Sequence, residues 1–201
     1  MRRESSTVVA VVGEVTEGFL AEVARSSNVS LVRQPDAADG QAPQPGLDAA
    51  IEAFRRAGGR GSPFVLVVAD PLAEVAEQWR VMWDLSAPET GAMPFEAKAA
   101  DALAAYRAGR FELPDYYLEL TGGDAPSADM YLGPLRSARP NRVAVVPGDG
   151  SDAPEQAARV LEELRSLRQG PWWPPLEEII DTARRFFAGG LSGDSSLAAR
   201  D

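Results

Sequence analysis

The sequence predicts an α/β protein: a three-layer αβα sandwich built on about five mostly parallel strands. Three observations carry that prediction. Apolar β-branched runs alternate with amphipathic runs of helical spacing, the pattern that yields parallel strands joined by right-handed crossovers. The first and third apolar runs are continuous rather than alternating, as strands covered on both faces should be. Glycine, proline and aspartate clusters punctuate each change of period.

The elements follow in chain order. "TVVAVVG" (7–13) is the first strand, and Val15, Phe19, Leu20 and Val23 then fall on one helical face. "NVSLVR" (28–33) reads as a short second strand, followed by a loop over 34–46, "QPDAADGQAPQPG". Leu47, Ala50, Ile51 and Phe54 have the spacing of a helix face closed by "GGRG". "PFVLVVAD" (63–70) is the third strand, and Leu72, Val75, Ala76, Trp79, Met82 and Trp83 mark the next helix. A loop is expected over 86–94 and an alanine-rich helix over 95–110. "DYYLELTGG" (115–123) and "NRVAVVPGDG" (141–150) supply the last two strands and their turns. Asp152 and Glu155 have capping-box spacing ahead of a helix facing inward through Ala157, Val160, Leu161 and Leu164. After "QGPWWPP", residues Leu176, Ile179, Ile180, Ala183 and Phe187 define a final helix. The reading is one α/β domain over 1–189 and a flexible C-terminal tail over 190–201.

Composition narrows the chemistry. The chain has no cysteine and no histidine, which removes disulfides, thiolate and imidazole metal sites, and the commonest general base. Only Lys98 is a lysine among the 20 basic residues, so Schiff-base chemistry has a single candidate. That arginine bias, with many alanines, points to a high-GC bacterial source such as an actinobacterium. The net charge of −10 would repel a phosphate backbone, so direct nucleic-acid binding is not expected. No apolar run approaches the ~18 residues of a membrane span, and the start lacks the marks of a signal peptide, so the expected location is the cytoplasm.

The turn after the first strand holds Gly13 and Gly18 with the spacing of a phosphate-binding loop, G-x-x-x-x-G-K-[ST]. Over residues 7–26 the segment resembles a P-loop NTPase with a degenerate motif, because Phe19 and Leu20 stand where the lysine and hydroxyl belong. The resemblance implies a Rossmann-like or P-loop-like sheet, with Gly13, Thr16 and Gly18 nearest a bound ligand. Arg142, with Arg136 and Arg139, is the candidate for the anion contact that lysine no longer makes. Against this, Glu14 and Glu17 would repel a triphosphate, and a plain strand-to-helix turn explains the same residues.

Glu14, Asp70 and Asp149 each follow a predicted strand and would converge on one sheet edge, where carboxylates hold Mg²⁺ through oxygen. Asp70-Pro71 reads equally well as a helix cap. A response-regulator receiver domain would need paired acids after the first strand and a lysine after the last, and the chain has neither. Tyr116, Tyr117, Trp172 and Trp173 are the candidate interface residues. Adjacent side chains of an extended segment point to opposite sides, so one tryptophan of the pair should be core and the other exposed. Two functions are expected from these residues. The first is a non-catalytic adaptor or regulatory subunit, with no cofactor, that contacts another protein or another copy of itself. The alternative is a Mg²⁺-dependent carboxylate enzyme or sensor acting on a phosphorylated small molecule through Glu14, Asp70 and Asp149.

Overall fold

The computed structural model describes residues 6–34, 46–84, 88–122, 130–148, 152–167 and 170–193. The chain runs β1 (Thr7–Gly13), α1 (Glu17–Ala24), β2 (Val29–Arg33), α2 (Leu47–Ala57), β3 (Phe64–Val68), α3 (Ala73–Asp84), α4 (Pro88–Arg107) and β4 (Tyr116–Thr121). A π-helical turn (Tyr131–Leu135), one α turn (Arg136–Ala138) and a 3-10 turn (Pro140–Arg142) lead into β5 (Val143–Pro147). The helices α5 (Ala153–Ser166) and α6 (Leu176–Gly193) complete the described residues.

All four strand pairings are parallel, in the order β2-β3-β1-β4-β5. The central position of β1 follows from its composition, since an unbroken apolar run needs cover on both faces. Val9 and Val11 join Phe19, Leu20, Val23, Val160 and Leu164 under α1 and α5. Ala10 and Val12 face the other way, into the layer of α3, α4 and α6 with Leu72, Trp79, Phe95 and Ile180. Val8 packs with Ala50, Ala53 and Ala57 of α2. This alternation turns a two-residue period into a three-layer sandwich. Each buried valine, leucine or phenylalanine contributes roughly 1.5–3 kcal/mol to that arrangement.

The periodic helix faces are found where the spacing puts them. Phe19, Leu20 and Val23 are buried on α1, and Leu176, Ile179, Ile180 and Ala183 on α6. Asp152 caps α5, its Oδ1 accepting from the Glu155 amide at 3.0 Å. Three boundaries differ from expectation. The helix expected from 95 begins at Pro88, so most of the predicted 86–94 loop is helical. Proline at the first helical position is tolerated because its missing N–H would be unpaired there anyway, and the exposed Pro94 lies inside the same helix. The last helix continues to Gly193, four residues into the stretch expected to be a tail. Asp70 does not cap α3 directly: it closes a turn onto the Leu72 amide, and the helix starts at Ala73. Most of the 34–46 loop and all of 194–201 lie outside the described residues. No described helix is long and apolar enough to cross a membrane.

Candidate functional site

The strand order creates one topological switch point. From β1 the chain moves one way across the sheet through α1, and from β3 it moves the other way through α3 and α4. Helices α1 and α3 lie on opposite faces, so the carboxyl ends of β1 and β3 border the crevice where open α/β sheets bind ligands.

The β1 turn is built for chain packing. Gly13 has φ +99°, and a Cβ there would fall 2.0 Å from the Leu120 carbonyl oxygen of β4. The next amide, of Glu14, donates to that same oxygen at 3.3 Å. Glycine at 13 therefore lets β1 end tight against β4. Thr16 is the N-cap of α1, its hydroxyl accepting from the Phe19 amide at 3.2 Å. At Gly18 a Cβ would come within 3.1 Å of the Ala153 Cβ, so glycine admits the start of α5 alongside α1. Phe19 is fully buried and Leu20 nearly so, which commits the positions of the lysine and hydroxyl to the core. Glu14 and Glu17 are exposed, and Glu17 pairs with Arg33 at 2.8 Å. Lys98 pairs with Glu74 at 3.2 Å between α4 and α3.

Of the three predicted carboxylates, Asp70 is buried and Glu14 exposed, and Asp149 lies outside the described residues. Asp70 Oδ1 accepts from the Leu72 amide at 3.0 Å and from the Tyr117 hydroxyl at 3.3 Å. A fourth acid, Glu119 on β4, is only 3% exposed and sits in register with Val12 of β1. Its Oε2 lies 3.9 Å from Arg136, on the α turn after the π-helical turn. Asp70 and Glu119 thus flank the end of β1 from either side. The signal for Glu119 was legible: it is the one charge within the apolar run "YYLEL". Among the described residues no three metal-ligating side chains gather into a group that could hold an ion.

Arg142 stands at the opposite end of the sheet, immediately before β5. It is 8% exposed, and its guanidinium donates to the carbonyls of Pro171 (2.6 Å), Asp115 (2.8 Å) and Gly170 (2.8 Å). It therefore does not join Gly13, Thr16 and Gly18, and its donors are committed to main-chain oxygens. Arg139 likewise donates to the Trp172 carbonyl. The Arg142 guanidinium lies over the Trp172 ring at 4.5 Å and the Tyr116 ring at 5.4 Å from their centroids.

The aromatic pairs divide sharply. Trp173 is 5% exposed, donates from Nε1 to the Pro114 carbonyl at 2.7 Å and meets Tyr117 edge to face at 5.7 Å. Trp172 is 43% exposed. Tyr116 and Tyr117 are buried on both faces of the sheet, so the expectation of an interface role for them is corrected. A strand covered by helices on both sides leaves no aromatic face for a partner. Trp172, Tyr106, Glu112 and Leu113 border an open cleft of about 410 Å³. Nearby, Glu177 at the start of α6 has its carboxyl held below the usual glutamate range by its own amide and by Arg107, which donates at 2.8 Å.

No family model matches the chain, and no curated protein or solved structure is significantly similar to it. The functional reading therefore rests on these residues alone.

Proposed function

We propose that the chain is a non-catalytic α/β adaptor or regulatory module, on a scaffold with the outline of a nucleotide-binding fold, that contacts another protein or a second copy through Trp172. The observation that carries this reading is the posture of that tryptophan. It is the exposed member of its pair, yet a buried arginine stacked on its ring and bonded to three carbonyls holds the segment in place. A large aromatic side chain already ordered before contact loses little conformational entropy on binding, which is the property of an interface anchor. The β1 turn supports the same reading, since Phe19 and Leu20 fill the core where a nucleotide enzyme needs its cation and hydroxyl.

Two measurements test it together. Sedimentation and affinity capture should show an association that Trp172→Ala removes while the melting temperature holds. A thermal-shift panel of nucleotides and phosphorylated metabolites, with and without Mg²⁺, should be flat. A ligand at 100 times its dissociation constant adds about 2.7 kcal/mol of stability, so real binding would be visible.

One observation favours a second reading. Asp70 and Glu119 are buried acids at the ends of adjacent β1 neighbours, at the switch point. A Mg²⁺-dependent sensor or enzyme for a phosphorylated small molecule would use them, and a Mg²⁺-dependent shift lost in Asp70→Asn would displace the adaptor reading.

A further inference from the structure

We infer that the cleft beside Trp172 is a binding site for an alkylated ammonium group, such as the side-chain head of a methylated lysine on a partner protein. The inference rests on the adaptor reading and names what its contact surface would recognise. Four residues border the cleft: the rings of Trp172 and Tyr106, the carboxylate of Glu112 and the aliphatic side chain of Leu113. Two aromatic rings and an acid around one opening are the chemistry of a cation cage. Ring faces attract a cation through their quadrupole, with tryptophan the strongest, and alkylated ammonium groups suit such cages because they carry charge on an apolar surface. The indole already takes a cation in this way, since Arg142 covers one of its faces at 4.5 Å. The ring remains 43% exposed where it borders the cleft.

The other walls are held in place as well. Tyr106 packs against Phe111 at a centroid distance of 5.8 Å, and Phe111 and Leu113 are core residues. Trp173, the next residue after the exposed tryptophan, anchors the segment through its bond to Pro114. The cage is thus pinned on both sides of its floor, and its volume of about 410 Å³ falls within the range of small-ligand sites, roughly 300–1,000 Å³. Glu112 is exposed at the rim, where it offers the incoming charge a counter-ion. A neutral apolar group of the same shape would gain the ring contacts without the electrostatic part.

The test is a titration of the full chain followed by the indole N–H resonances of its four tryptophans, the Trp172 signal being identified by its loss in Trp172→Phe. The probes are choline chloride, a short peptide carrying trimethyllysine, and 3,3-dimethylbutan-1-ol, the uncharged counterpart of choline. The inference expects saturable shifts centred on Trp172 with both cations and a much smaller response to the alcohol. Tighter binding of the peptide than of choline assigns the group to a protein partner, and the reverse order assigns it to a free or lipid-borne choline head and overturns the lysine assignment. Glu112→Gln, an exposed change that leaves the core intact, should weaken binding roughly two- to fivefold, as losing an exposed ion pair does. Trp172→Ala should abolish it. No shift with either cation, or an equal response to the alcohol, overturns the inference. If association is still lost in Trp172→Ala, the adaptor reading survives that failure; a Mg²⁺-dependent nucleotide response would instead remove the adaptor reading itself.

Discussion

Truncating Arg142 to alanine removes three main-chain hydrogen bonds and two ring contacts in one step. Hydrogen bonds to a charged group contribute roughly 1.5–3 kcal/mol each, so three would sum to about 5–9 kcal/mol if none were recovered. Two effects reduce that sum. The 170–172 segment is partly exposed, so its freed carbonyls regain water. Removing the buried guanidinium also relieves its desolvation, worth several kcal/mol. The net expectation is a loss of about 3 kcal/mol, which for a chain of this size lowers the melting temperature by roughly 6–12 °C. Arg142→Lys keeps the charge but not the planar fork, and should recover less than half of the loss. Urea unfolding followed by far-ultraviolet circular dichroism measures both variants. A cost for Arg142→Ala below about 1 kcal/mol would refute the argument, because a residue kept for anion binding has little stability to lose.

Other residues give equally direct expectations. Gly13→Ala should cost about 2–4 kcal/mol, since it adds left-handed backbone strain to a contact of 2.0 Å with the Leu120 carbonyl; denaturant midpoints measure it, and a near-neutral result would mean that β1 and β4 can part freely. Trp173→Ala should cost about 3–5 kcal/mol as a core truncation, whereas Trp172→Ala should stay within about 1 kcal/mol, and paired melting curves separate them. Glu177 titrates below the ordinary glutamate value of 4.5, so its ionised form favours the folded state. That contribution is present above the unfolded value and is lost as pH falls through the folded one. Glu177→Gln should therefore flatten the acid side of the stability curve, and melting temperatures taken from about pH 6 to about pH 3 would show it.

How much could be read beforehand depended on the range of the interaction. The β1 strand was legible to the residue, because an apolar β-branched run ending at glycine is a local signal. The α1 and α6 faces were legible for the same reason, as was the division of Trp172 and Trp173, which follows from the alternation of an extended chain. The helical 88–94 segment was not, since "PETGAMP" has the composition of a loop and is drawn into a helix through packing of α4 on α3. Tyr116 and Tyr117 were misplaced at a surface because their burial depends on which helices cover β4.

By itself the sequence determined the alternation of strands and helices, the three layers and the absence of imidazole and thiol chemistry, all of which depend on residue type and on periods of two or 3.6. Only the tertiary structure decided the strand order, and with it the pairing of Asp70 with Tyr117 and the approach of Glu119 to the end of β1. It also moved Arg142 from an imagined anion site to a clamp on residues 28 and 29 positions further along the chain. A guanidinium has the same charge in either role. What it does is set by which carbonyls the fold brings to its donors, and that is information no local window of sequence contains.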